Sequence, residues 1–202
     1  MEKLIEGYRR FRAESWPAEQ ARYQALARSG QRPETLVISC SDSRVDPQTV
    51  FGAGPGELFV IRNVAGLVPP YGPDENPHGT SAALEFAVRV LNVRRIAVLG
   101  HVDCGGIAAT LYGAPHAARD FLAPWIALAR PALSCVAADL PGPERMRRCE
   151  AEVVALTLRN LLTFPWIADA VATGTLELHG FRFAVATGTL ERFIDGGFEP
   201  VG

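Results

Sequence analysis

Three short runs of apolar, largely β-branched residues constrain the architecture of this chain most: Thr35 to Ser39, Glu57 to Arg62 and Arg95 to Gly100. Runs this short and this uniformly apolar read as strands buried on both faces of a sheet. A helical pattern from Ala82 to Leu91, with Thr80 or Ser81 as its cap, lies between the second and the third. Strand–helix–strand order implies a parallel pair and a right-handed crossover. Towards the end, Leu176 to Phe193 alternates apolar and polar residues across Thr187-Gly188, which suits a hairpin or one long bent strand. The expected fold class is α/β, with a central mostly parallel β-sheet flanked by helices and a C-terminal hairpin or edge strand.

The rest of the chain reads as helix and loop. Leu4, Ile5, Tyr8 and Phe11 mark one face of a first helix, and Pro17 suits the first turn of a second that Ser29-Gly30 stops. Further helical patterns cover 118–130 and about 144–163, separated by the Pro-Gly-Pro of 141–143, and 68–77 is loop dense in Pro and Gly. No repeat or linker interrupts 1–202, so one domain is expected, with a helical arm over about 1–28. An apolar content of 48% is enough for a substantial core, and a net charge of −2 argues against nucleic acid as a partner. No apolar run approaches the ~18 residues that would span a bilayer. The N-terminus has no signal-peptide pattern, so a cytoplasmic protein with no membrane partner is expected.

Two short motifs follow two of the strands. Cys40-Ser41-Asp42-Ser43-Arg44 follows the first run, and His101-Val102-Asp103-Cys104 follows the third. Two thiols and an imidazole are ligands that Zn²⁺ prefers, and a three-ligand set leaves a fourth tetrahedral position open, as catalytic zinc requires. In an open parallel sheet, ligands gather beyond the carboxyl ends of the strands, so Cys40 and His101 can converge if their strands are neighbours. Cys104 would follow in the first turn, with Gly105-Gly106 allowing a tight turn and the helix starting there turning its positive end to the thiolates. Taken singly, a cysteine ending a buried strand is usually a small core residue, and Asp-x-Arg is usually a surface ion pair. Their coincidence at two strand ends points instead to a hydrolytic or hydrating zinc enzyme. Cys135 and Cys149 have no second ligand near them in sequence and are expected to be structural thiols; His78, His116 and His179 read as loop or strand-end residues.

The motif around Cys40, the segments Pro55-Gly56-Glu57-Leu58-Phe59 and Arg62-Asn63-Val64-Ala65, and His101-Val102-Asp103-Cys104-Gly105-Gly106 together resemble the β-class carbonic anhydrases. The resemblance is specific over about 30–112 and weaker to the C-terminal strand. It implies Cys40, His101 and Cys104 as ligands of Zn²⁺, with Arg44 holding Asp42 so that the carboxylate accepts a hydrogen bond from the reacting water. It also implies CO₂ and bicarbonate as substrate and product, and a homodimer or homotetramer. Zinc brings a bound water to a pKa of roughly 7, the value established for carbonic anhydrase with three histidine ligands. Two thiolates should acidify water less, which Asp42 would offset. Hydrolysis of CS₂ or COS at the same site, or a non-catalytic zinc protein, are the competing readings; Asp42 and Arg44 argue against the latter. In the family's bicarbonate-sensitive members Asp can leave its Arg and close the zinc site, and these members carry Trp and Gly where this chain has Val37 and Ser39. Constitutively open members carry Gln directly before the Pro-Gly-Glu motif, where this chain has Gly54, so the sequence fits neither kind fully; the missing Trp tips the expectation towards an open site.

Overall fold

A computed structural model describes residues 1–202. Helices α1 (Glu2–Arg10) and α2 (Trp16–Ser29) form the N-terminal arm, continuous through a wider turn at Phe11–Ser15, and Gly30 ends α2 at φ 75°. Neither helix buries a residue, and Leu4 and Tyr8 of the apolar face are 69% and 61% exposed. The arm is fastened near the turn before the second strand, where Arg22 donates to Glu57 Oε1 and to the carbonyl of Pro55, both at 2.7 Å.

Next come β1 (Thr35–Cys40), α3 (Pro47–Val50), β2 (Leu58–Asn63), α4 (Gly79–Glu85) and β3 (Arg95–His101). The helix expected at Ala82 starts at Gly79 and runs on through a wider turn at Phe86–Val90. Neither Thr80 nor Ser81 caps it; Thr80 lies inside the helix, where its hydroxyl accepts from Asn63 at 3.3 Å. The chain continues with α5 (Gly105–Tyr112), α6 (Leu122–Ile126), α7 (Arg130–Leu133), α8 (Gly142–Leu161), α9 (Pro165–Ala172), β4 (Glu177–Ala184), β5 (Thr189–Ile194) and β6 (Gly197–Pro200). The single helix expected over 118–130 is two short ones joined by a 3₁₀ turn, and the second of them opens on Pro131. Helix α9 and strand β6 were not anticipated.

The sheet has six strands in the order β2-β1-β3-β4-β5-β6. The first four are parallel, and β4, β5 and β6 are antiparallel neighbours, so the expected hairpin is present and extended by one strand. The crossover from β2 to β3 passes over β1, so the strands flanking it are parallel without touching. Alternate residues divide the core: Leu36, Ile38, Ile96 and Val98 face a cluster with Leu84, Val154, Leu161 and Phe164, whereas Val37, Ala97 and Leu99 face the other side. Helix α8 lies close on the first face. A Cβ on Gly100 or on Gly180 would sit 2.8 or 2.9 Å from a methyl of Val154, so the absence of side chains at both positions sets how near α8 comes. Glu150 is one turn earlier on the same helix.

Candidate metal centre

Strands β1 and β3 are neighbours, and both run out at the same edge of the sheet, Cys40 ending one and His101 the other. This is also where strand order reverses, with β2 on one side of β1 and β3 on the other, the position at which open α/β sheets collect ligands. Cys104 follows three residues on, as the residue before α5. The sharp change of direction is taken by Asp103, at φ 57°, rather than by the two glycines after it. Gly106 is needed for space instead: a Cβ there would lie 2.7 Å from Val64 and 3.0 Å from Ala65.

The ligating atoms of Cys40, His101 and Cys104 lie within 4.8 Å of one another, and the three residues are buried. The two sulfurs are 3.9 Å apart. Two sulfurs at ~2.3 Å from one tetrahedral ion would be separated by about 3.8 Å, so the spacing suits zinc. His101 Nδ1 donates to the Val102 carbonyl at 3.0 Å, which leaves Nε2 as the bare nitrogen. That Nε2 is buried and has no hydrogen-bond partner in the protein, a costly arrangement unless a ligand completes it. Two soft thiols and an orphaned imidazole nitrogen are a donor set that fits Zn²⁺. Without an ion the two thiols are linked: the adjacent Cys104 thiol lowers Cys40, while the Cys40 thiolate and burial push Cys104 up.

Asp42 stands beside this triangle, its Oδ2 3.9 Å from His101 Nε2. Arg44 holds the carboxylate by Nη2 to Oδ2 at 2.7 Å, Nε to Oδ1 at 3.0 Å, and its own backbone N–H to Oδ1 at 2.9 Å. The Arg44 side chain first, and then its backbone N–H, keep Asp42 well below the usual carboxylate range. The structure therefore brings together all five residues singled out in the two motifs. Cys149 is buried in the core as expected, but Cys135 is exposed, at the end of α7. The other histidines pair elsewhere: His78 with Asp74 at 2.7 Å, His179 with Glu177 at 3.0 Å and His116 with Arg119 at 3.1 Å.

Two residues whose roles the sequence did not disclose support the site. Arg62 at the end of β2 donates to the carbonyls of Cys40 (3.0 Å), Asp42 (2.7 Å) and Val45 (2.8 Å), clamping the first loop. Glu150, buried on α8, accepts from the Asp103 N–H at 2.7 Å and so holds the second loop. The signal for Glu150 was an acid standing among the residues α8 buries, beside Cys149, Val153 and Leu156.

The family model described as "Carbonic anhydrase" matches residues 35–190. This chain belongs to the carbonic anhydrase family. The matched residues begin with β1 and end in β5, so they enclose the whole site, Arg62 and Glu150. The carbonic anhydrase of Pseudomonas aeruginosa is 38% identical over 198 residues, 97% of this chain and 88% of that one. The chloroplastic β carbonic anhydrase 5 of Arabidopsis thaliana is 40% identical over 175 residues, 85% of this chain but 57% of its own length. The solved β-carbonic anhydrase CcaA superposes with a TM-score of 0.92 at 31% identity, covering 99% of this chain and 98% of that one. These likenesses place the chain in the β class, and its mixed six-stranded sheet is that fold.

Proposed function

We propose that the chain catalyses the reversible hydration of CO₂ to bicarbonate and a proton, using Zn²⁺ held by Cys40, His101 and Cys104. The observation that carries this reading is the triangle of buried ligand atoms, within 4.8 Å of one another, with an Arg-held carboxylate at its edge. When bound there, zinc supplies Lewis acidity that makes water nucleophilic near neutral pH. Asp42 does the orienting. Held ionised by Arg44, it can only accept hydrogen bonds, so it takes one from the reacting water and fixes where the remaining lone pairs point. A carboxylate held ionised in this way does not store the proton, which must leave the site for turnover to continue. Arg62 and Arg44 hold the two loops through backbone carbonyls, so the orientation costs little at the moment of reaction.

The working form is a homo-oligomer: a structural relative from Sordaria macrospora, with a TM-score of 0.81, is described as tetrameric. The exposed Leu4, Ile5 and Tyr8 of the arm, together with Phe86 and Val90, supply apolar surface for such contacts. A cytoplasmic location is proposed with it; no helix is long and apolar enough to cross a membrane. The test is metal analysis of the purified protein beside stopped-flow hydration of CO₂, with CS₂ and COS consumption assayed in parallel. About one zinc per chain and rapid CO₂ hydration are expected. Turnover of CS₂ or COS without CO₂ hydration would assign the site to the sulfur analogues.

A further inference from the structure

We propose that Glu150 is a positioning residue for the metal centre, its buried carboxylate fixing the Asp103 backbone and, through it, the approach of His101 and Cys104. The inference rests on the metal-centre reading above and adds to it a residue outside both ligand motifs.

Glu150 is 2% exposed, on the part of α8 that also buries Cys149, Val153 and Val154. It forms no ion pair. Arg182, whose charge reaches it, is bound to Glu191 at 2.7 Å and to the carbonyl of Arg147 at 3.3 Å. A carboxylate buried without a cation is expensive, and an apolar side chain of similar size would serve packing better. What Glu150 holds instead is backbone: Oε1 accepts from the Asp103 N–H at 2.7 Å. Its other oxygen, Oε2, accepts no hydrogen bond from the protein.

The residue held in this way is unusual. Asp103 is in the left-handed region at φ 57°, uncommon outside glycine, and it lies between the two ligands of its loop. Its carbonyl accepts from Arg44 Nη2 at 3.1 Å, while its N–H donates to Glu150. Both backbone groups of Asp103 are therefore tied to charged side chains from other parts of the chain. Only the N–H tie is independent of the Asp42–Arg44 dyad. Removing the acceptor would take away the partner of the Asp103 N–H and free the turn to relax towards ordinary φ, which moves Cys104 relative to His101. The close seat of α8 over Gly100 and Gly180 is what brings Glu150 within reach.

The test compares wild type, Glu150→Ala, Glu150→Gln and Glu150→Asp, each loaded with zinc. Zinc release to a chromogenic chelator is timed, the Co²⁺-substituted absorption spectrum recorded and the melting temperature measured. Glu150→Ala is expected to release zinc about 10- to 100-fold faster, the usual range for an outer partner of a metal ligand, and to shift the thiolate-to-cobalt band. Glu150→Gln keeps an acceptor oxygen in place, so it should release zinc within about threefold of wild type with the wild-type cobalt spectrum, even where its melting temperature falls. Glu150→Asp pulls the acceptor back by one methylene and should resemble Glu150→Ala; it provides the comparison if the alanine variant does not fold. Wild-type release and spectrum in Glu150→Ala or Glu150→Asp would overturn the proposal. So would a Glu150→Gln protein that loses zinc as fast as Glu150→Ala, because then the charge and not the hydrogen-bond acceptor matters. A wild-type protein that takes up neither zinc nor cobalt refutes the metal centre itself, and this proposal with it.

Discussion

Arg44 donates to the carbonyl oxygen of Asp103 at 3.1 Å, joining two loops that are 59 residues apart in sequence. The same guanidinium holds the Asp42 carboxylate, so one side chain sets both the carboxylate beside the ligand triangle and the turn that carries Cys104. The dyad is thus part of the frame of the site as well as of its chemistry.

The ligand assignment predicts which thiols matter. Cys40→Ser and His101→Ala should lose most of the bound zinc, because each removes one of three donors. Cys149→Ser should keep it, because that thiol is buried in the core on α8. Metal content of the three variants is the measurement, and full occupancy in Cys40→Ser would remove that residue from the set.

The dyad should separate from the ligands. Asp42→Ala and Arg44→Ala are expected to retain zinc while hydrating CO₂ on the order of 10²-fold more slowly, the loss typical of an orienting or proton-handling group. Wild-type rates in Asp42→Ala would take that residue out of the mechanism.

Acid should uncouple Asp42 from Arg44. The folded protein holds this carboxyl below its ordinary value, mainly through the Arg44 side chain, whereas the unfolded chain returns it to about 3.9. A carboxyl depressed in this way favours the fold above that unfolded value, and the contribution is lost as pH falls through the folded one. The difference in melting temperature between wild type and Arg44→Ala should therefore be full near pH 6 and shrink in strong acid, below about pH 4. A difference that grew on acidification would contradict the pairing.

How much of this was legible in the sequence depends on the range of the interaction. The strands β1 and β3 could be read because burial on both faces leaves an unbroken apolar run, and β2 because its Leu-Phe-Val-Ile centre is apolar even at the half-buried sheet edge; each lies within one or two residues of the expected bounds. The two motifs could be read because Cys40, Asp42 and Arg44, like His101 and Cys104, act within a few residues of one another. The neighbouring of β1 and β3, on which convergence depends, was only a condition, because strand order is decided by how crossovers pack. Arg62 and Glu150 stayed hidden for a related reason. Each acts on backbone groups of another element, 17–22 residues away for Arg62 and 47 for Glu150, and carbonyls and N–H groups leave no trace in side-chain identity. The break between α6 and α7 was missed although Pro131 lies at it.

The close seat of α8 should not tolerate a methyl group at Gly180. A Cβ there would come within 2.9 Å of both Val154 and the Cβ of Phe193, which cannot both move aside cheaply. Gly180→Ala is expected to destabilise by about 1–3 kcal/mol, the usual cost of overpacking, measured by denaturant unfolding of the loaded protein. An unchanged midpoint would mean that α8 rides higher over the sheet than described.

The last prediction concerns whether Asp42 can leave Arg44 for the metal. To do so the carboxylate would give up three hydrogen bonds from one residue and leave the guanidinium with the Asp103 carbonyl. The two positions that carry Trp and Gly in bicarbonate-sensitive relatives are here Val37 and Ser39, and both are fully buried in the sheet. Val37 packs with Val45, Ala97 and Leu99, on the face away from the cluster that holds Cys40 and Cys104, and offers no aromatic wall for an anion. Activity should therefore fall smoothly with decreasing pH as a single protonation, with no inhibition by bicarbonate. Steep, cooperative loss that bicarbonate deepens would require two subunits switching together. A crystal structure near neutral pH with an Asp42 oxygen bonded to zinc, together with that inhibition, would show the site to be the closing kind. It would also mean that the carboxylate–metal bond outweighs the three Arg44 contacts to Asp42 together with the loss of the metal's water.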